Sequence, residues 1–340
     1  MKIRSTAPLR IGFGGGGTDL DSYCNQFGGY VLNATISLKS HCLIQPTNDQ
    51  KIIFESPDYL EFFSQKTSNQ LILNGEMDLH KGVYNRIIKE FKLKPLSFKM
   101  LTFSDAPPGG SGLGGSSTLI VSMIKCFSEW LNLPLGDYDI AKLAYDIERK
   151  DVGIAGGAQD QYAATFGGFN FMEFYKHENV IVNPLRVKDE VLSELESSTI
   201  LYFTNITRRA SQIENEKKLL INSNKSIEAM HKVKQDASLM KNAILKGDIH
   251  SFAKSLHHSW IAKKSVSESV SNKEIDKIYK IAQENGAIGG KVSGAGGGGF
   301  MFFVAPPEKK YQLIQRLNDE RGKVFNFHFT NHGAKSWKIS

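Results

Sequence analysis

The chain has 340 residues, 41% of them hydrophobic, which is enough to fill the cores of two domains. Its formal net charge is +7, yet no run of five basic residues and no aromatic-flanked basic stripe occurs. That argues against a nucleic-acid module and suits an enzyme whose ligands are polyanions. No apolar run reaches the roughly 18 residues of a membrane span. The start Met1-Lys2-Ile3-Arg4-Ser5 lacks a signal-peptide core, and Cys24, Cys42 and Cys126 have no paired or metal-binding spacing. A reduced, cytoplasmic protein is the expectation.

In chain order, strands are expected over Ile3 to Ile11, Tyr30 to Ile36, Ser40 to Pro46, Lys51 to Glu55 and Leu96 to Phe103. Helices are expected over Lys81 to Phe91, Ser117 to Leu131, Tyr138 to Arg149 and Gln159 to Phe166. A hairpin follows, Phe169 to Tyr175 with Val180 to Leu185. The texture changes near residue 185, which divides the chain into domains 1–185 and 186–340. The second half reads as a strand (Thr199 to Thr204), a long polar helical region (Ser211 to Lys246) and helices over Ile249 to Lys263 and Lys273 to Asn285. After these come a strand over Phe300 to Val304, a helix over Glu308 to Leu317 and a strand over Gly322 to Phe329. This order fits an α+β sandwich with an antiparallel sheet.

Three glycine strings punctuate this pattern. The most informative is Pro107-Pro108-Gly109-Gly110-Ser111-Gly112-Leu113-Gly114-Gly115-Ser116-Ser117-Thr118, set between a strand and a helix. Glycines let successive N–H groups point one way, the new helix adds its free N–H groups and positive dipole end, and the hydroxyls can meet a phosphate oxygen or Mg2+. A plain solvated loop is the bland alternative. No lysine follows Gly115, so this is not the common nucleotide P-loop. The string Gly-x-Gly-x-x-Gly occurs three times, from Gly12, Gly110 and Gly294, but never with the helix, second strand and acid about 20 residues on that a dinucleotide site requires.

Three such motifs in this order resemble the GHMP kinases, the family of galactokinase, homoserine kinase and mevalonate kinase. The second motif departs from the family's Pro-x-x-x-Gly-Leu-Gly-Ser-Ser by one extra residue before Gly112 and by Gly115 in place of the first serine. The resemblance implies a two-domain GHMP kinase fold, with an N-terminal domain like the second domain of ribosomal protein S5 and a ferredoxin-like C-terminal domain. It implies ATP and Mg2+ as cofactors. The stretch Ala7-Pro8-Leu9-Arg10-Ile11 with Gly15-Gly16-Gly17-Thr18-Asp19 resembles the D-glycero-D-manno-heptose 7-phosphate kinases and the kinase part of fucokinases. The expected activity is therefore phosphorylation of the C1 hydroxyl of the heptose 7-phosphate, which serves nucleotide-activated heptose and surface polysaccharide (capsule or lipopolysaccharide). The alternatives are a fucokinase-like or other hexose 1-kinase, or a sugar sensor without turnover. Expected partners are ATP and the sugar phosphate alone, with oligomeric state open.

By the same resemblance Asp160 is the base for the sugar hydroxyl and Arg10 stands beside it. Pro108 to Ser117 hold the nucleotide phosphates, and Ser116 with Glu148 holds Mg2+. Gly17, Thr18, Asp19, Gly294 and Gly296 approach the sugar. Each also has a structural reading: Asp160 as a helix cap, Arg10 as a core ion pair, Glu148 as a partner of Arg149 or Lys150. Glu148 lies 12 residues before Asp160, one more than in mevalonate kinase. For the substrate's own phosphate, Arg208 and Arg209 are the first candidates and Lys81 with Arg86 the alternative.

Overall fold

The structure is a computed structural model and describes residues 1–206 and 224–339. The first half carries β1 (Lys2–Gly14), α1 (Asp21–Phe27), β2 (Gly29–Pro46), β3 (Lys51–Ser56), β4 (Glu61–Lys66), α2 (Asp78–Glu90), β5 (Phe98–Ser104), α3 (Gly115–Leu131), α4 (Asp137–Asp146), α5 (Gln159–Phe166), β6 (Phe169–Tyr175) and β7 (Asn179–Pro184). The second carries α6 (Asp189–Ser198), β8 (Thr199–Phe203), α7 (Asn224–Lys246), α8 (Ile249–Lys264), α9 (Lys273–Glu284), β9 (Gly289–Val292), β10 (Phe300–Val304), α10 (Pro307–Asn318), β11 (Lys323–Phe325) and β12 (Lys335–Ile339). Between α4 and α5 the chain makes one π-helical turn, Ile147–Asp151.

Strands β1 to β7 with β12 form one sheet, ordered β12-β1-β2-β5-β3-β4, with β6 and β7 branching from β2. All its pairs are antiparallel except β3 with β5. The branch arises in β2, which is one long strand where two were expected. Opposite Leu9 the register jumps: Pro8 faces Lys39, but Arg10 faces Thr35. Past this bulge the two halves of β2 diverge, residues 29–34 pairing with β6 and 40–46 with β5. A bulge re-aims the strand and frees its backbone groups. Here the Arg10 N–H bonds Leu113 O, 3.1 Å away in the second glycine string.

Helix α3 runs beneath this sheet. It is apolar nearly all round, and Ile120, Val121, Ile124 and Phe127 are fully buried against Ile3, Ile44, Phe98 and Met100. Ser5 Oγ donates to Ser122 O across the contact, so the polar atoms trapped there are paired.

The second sheet is antiparallel, ordered β11-β8-β10-β9. Its central strands are unbroken apolar runs with both faces covered. One face packs on Trp260, Ile275, Tyr279 and Leu313. The other joins Leu9, Ile11, Phe13, Leu32 and Phe169 of the first sheet in a single core. The cores therefore merge across the expected boundary at 185. The strand β12 also crosses it, returning from the second half to pair with β1. The expected helix over Ser211 to Lys246 is described only as α7, and its earlier part lies outside the described residues. The strand expected over Gly322 to Phe329 is confined to β11. Strands β4, β9 and β12 and helices α1 and α6 were not anticipated.

Candidate active site

A cavity of about 580 Å3 opens where the first and second glycine strings meet α5, with the third string at its edge. The second string forms one wall. Helix α3 starts at Gly115 with no side-chain cap, so its first N–H groups face the cavity as donors. The third string buttresses the second from behind. Phe300 N–H bonds Ser111 O at 2.8 Å, and Gly112 and Gly294 pack backbone to backbone, where a Cβ on either would strike the other strand.

Helix α5 organises the centre through three successive side chains. Gln159 Nε2 reaches Asp19 Oδ1 at 3.2 Å, Asp160 meets Arg10, and Gln161 Nε2 donates to Glu148 Oε2 at 2.7 Å. Arg10 is buried; its Nε donates to Asp160 Oδ1 at 2.6 Å, its Nη2 lies 2.6 Å from the same oxygen as an ion pair, and its Nη1 donates to Gly112 O at 2.7 Å. The same arginine thus fixes the carboxylate and the glycine string.

Glu148 is fully buried. Oε1 accepts from Ser116 Oγ at 2.7 Å, Oε2 from Ser117 Oγ at 2.6 Å, and the Arg149 guanidinium stands 3.3 Å from Oε1. Among the described residues no group of three or more His, Cys, Asp or Glu side chains gathers. A lone carboxylate with a hydroxyl beside it is nevertheless the donor set Mg2+ takes when phosphates and water complete its shell. The residues present fit that ion.

Other expected residues are placed as follows. Gly17, Gly110, Ser111, Gly114, Gly115 and Gly294 line the cavity, as does Asp19, whose carboxylate lies tight behind Gly157. Thr18 is fully buried, its hydroxyl closing the first loop onto Gly15 O and Tyr30 O at 2.8 and 2.9 Å, so it shapes the loop instead of facing a sugar. Leu113 is a core side chain and offers the site only its backbone. Gly296 packs on Val270, away from the cavity. Pro108 and Gly109 are exposed at the mouth and do not line it. Arg208 and Arg209 lie outside the described residues. The alternative pair serves structure: Lys81 is buried with Nζ on Asn74 Oδ1 at 2.6 Å, and Arg86 forks onto Asp151.

Sequence reasoning missed Gln159, Gln161, Tyr59 and His80, and named Arg149 only as an ion-pair partner of Glu148, which it is at 3.3 Å. The two glutamines flank Asp160 in the first turn of α5. Tyr59 and His80 line the far end of the cavity, with Leu79, Phe103 and Ala106. Burial pushes the Tyr59 phenol up and the His80 imidazole down to about 4, so His80 is neutral at pH 7.

Two family descriptions match the chain: GHMP kinases N terminal domain over residues 78–168 and GHMP kinases C terminal over 240–323. The D-glycero-alpha-D-manno-heptose 7-phosphate kinase of Campylobacter jejuni is 58% identical over 337 residues, 99% of either chain. The chain belongs to the GHMP kinase family. As a GHMP kinase it is an enzyme that uses ATP, and its α+β architecture is the GHMP kinase fold. The crystal structure of a D-glycero-D-manno-heptose 1-phosphate kinase from Bacteroides thetaiotaomicron superposes with a TM-score of 0.86 at 46% identity, covering 99% of each chain. The bifunctional fucokinase/GDP-fucose pyrophosphorylase of Arabidopsis thaliana is 27% identical over 94% of this kinase and 32% of its own length. Among the described residues no helix of the kinase is long and apolar enough to cross a membrane.

Proposed function

We propose that this kinase transfers the γ-phosphoryl group of ATP to the C1 hydroxyl of D-glycero-D-manno-heptose 7-phosphate. The observation that carries the reading is the placement of the Arg10–Asp160 pair in the same cavity as the second glycine string and the Glu148–Ser116 pair. Phosphoryl transfer needs positioning and charge neutralisation more than covalent chemistry. The string and the start of α3 hold the nucleotide phosphates by N–H groups. Glu148 and Ser116 would hold Mg2+, which supplies charge neutralisation on the phosphate oxygens. Asp160 accepts the proton of the attacking hydroxyl, and Arg10 orients it and balances the developing charge. Asp19, held by Gln159 and by Gly17 N–H at 3.0 Å, lies on the sugar side. The sugar itself is suggested by the Campylobacter jejuni relative. The names of the two heptose kinases differ in the carbon they cite, so the hydroxyl attacked is the point to test.

The experiment is coupled ADP release with heptose 7-phosphate, free heptose and fucose, followed by phosphorus NMR of the product. Turnover of the 7-phosphate with a new anomeric phosphate is expected. Faster turnover of free fucose would favour the fucokinase-like reading, and ATP binding with no transfer to any sugar would favour a sensor.

A further inference from the structure

The π-helical turn Ile147–Asp151 carries the carboxylate that faces Ser116 and precedes the helix that bears Asp160. One wide turn adds a residue to a helix and rotates the side chains that follow; such turns gather at functional sites. Here Val152 N–H reaches back five residues to Ile147 O at 2.9 Å, and Ile154 N–H closes onto Glu148 O at 2.9 Å. Within this turn two adjacent side chains take different partners. Glu148 turns to the serines of α3. Arg149 turns under the loop 154–157, which lines the cavity on the sugar side.

All three nitrogens of the Arg149 guanidinium have partners. Nε and Nη2 donate to Gly157 O at 3.2 and 3.0 Å, Nη1 donates to Ile154 O at 3.2 Å, and Nη1 is 3.3 Å from Glu148 Oε1. A side chain on Gly156 would collide with this guanidinium, and one on Gly157 with the Asp19 carboxylate, so the loop is pressed between the two. Two residues after Gly157, Gln159 gives its N–H to Asp19 at 3.1 Å, and Asp160 follows. The far end of the turn is pinned as well, by the fork of Arg86 on Asp151 at 2.6 and 2.7 Å.

We propose that Arg149 is a positioning residue for the transfer: it ties the phosphate-side carboxylate to the loop that packs on Asp19 and leads into Asp160, and so sets the distance between the two halves of the reaction centre. The inference rests on the functional reading above. A fork of fixed geometry is needed, because a lysine ammonium cannot bond two carbonyls and face a carboxylate in one plane. Displacing reacting groups by about 1 Å can lower a rate on the order of 100-fold. It also lets water compete for the phosphoryl group.

The test uses the full chain with Arg149→Met, which keeps the aliphatic stem, Arg149→Lys, which keeps the charge, and Arg149→Ala. The acceptor is whichever sugar the unmodified enzyme turns over best. Readouts are melting temperature, kcat and KM for each substrate, and the ratio of ADP released to sugar phosphate formed. Expected are a fall in kcat of about 100-fold for Met and about 10-fold for Lys, with KM for ATP within about 3-fold. The ADP-to-product ratio rises above one, and added guanidinium ion at non-denaturing concentration restores part of the Arg149→Ala rate. The proposal is overturned if the folded variants keep native kcat and a ratio of one while only the melting temperature falls, or if guanidinium restores nothing. Failure of the unmodified enzyme to phosphorylate any sugar would instead remove the functional reading.

Discussion

Replacing Asp160 with asparagine separates chemistry from structure at this site. The hydrogen bond from Arg10 Nε and the ion-pair contact of Nη2, each 2.6 Å, fall on Oδ1, and among the described residues no protein group donates to Oδ2. An asparagine can therefore present its carbonyl oxygen to Arg10 and its amide to the cavity without moving. What is lost structurally is the charge on the acceptor. Bonds to charged groups contribute about 1.5–3 kcal/mol and neutral ones about 1, so the hydrogen bond weakens by about 0.5–2 kcal/mol. For a chain of this size that lowers the melting temperature by only a few degrees. The chemical loss is larger. An amide cannot take the hydroxyl proton, and a general base contributes about 100- to 10,000-fold, or about 2.7–5.4 kcal/mol of barrier. The assay pairs thermal melting and nucleotide titration with coupled ADP release. The expected result is near-native melting and ATP affinity with kcat down at least about 100-fold. Near-native turnover would refute the base assignment and leave positioning alone to account for catalysis.

Gly157→Ala would drive a methyl group into the Asp19 carboxylate and break its bonds to Gln159. KM for the sugar is expected to rise at least about 10-fold with KM for ATP unchanged, and equal shifts in both would contradict the placement of Asp19 on the sugar side. His80 is held near 4 by burial against an ordinary value of 6.5, so between these pH values the unfolded chain binds a proton that the folded chain does not. Stability is full above about 6.5 and falls by about 3 kcal/mol as pH drops to about 4; melting curves across this range should be flatter for His80→Gln, and identical slopes would sink the claim. If Arg208 or Arg209 holds the substrate's own phosphate, its replacement by alanine raises KM for the sugar phosphate about 10- to 150-fold, matching loss of one charge-assisted bond, and spares kcat and ATP; no change in either variant would place that phosphate elsewhere.

The glycine strings were legible because they announce backbone that must turn or be approached closely. What they approach was not. The sequence presents three similar strings, and only the packing of Gly112 on Gly294 shows that the third props the second. The apolar strands β8 and β10 and the amphipathic helices were readable from periodicity. Strand β4 was not, since Glu61-Phe62-Phe63-Ser64-Gln65-Lys66 lies exposed at a sheet edge and has no buried face to impose alternation. Strand β9 opens with Gly289-Gly290, which reads as a turn; it forms because β10 supplies the pairing. Asp160, Arg10 and Glu148 could be named as candidates from motif resemblance. The role of Arg149 could not, because the π turn and the loop carbonyls of Ile154 and Gly157 that it holds leave no mark in the sequence pattern. Lys81 and Arg86, which look like free cations in the sequence, are claimed by Asn74 and Asp151 once the chain folds.

The pairing of β12 with β1 joins residues 2–6 to residues 335–339, which the ribosome adds more than three hundred residues later. While the ribosome extends the chain, β1 can join β2 but keeps one unpaired edge of N–H and C=O groups open to any other strand it meets. That edge closes only when residues 335–339 emerge. A ribosome stalled upstream, or a nonsense codon anywhere in the second half, would release a sheet with a sticky margin, and such fragments should be found in aggregates or with chaperones more than in solution.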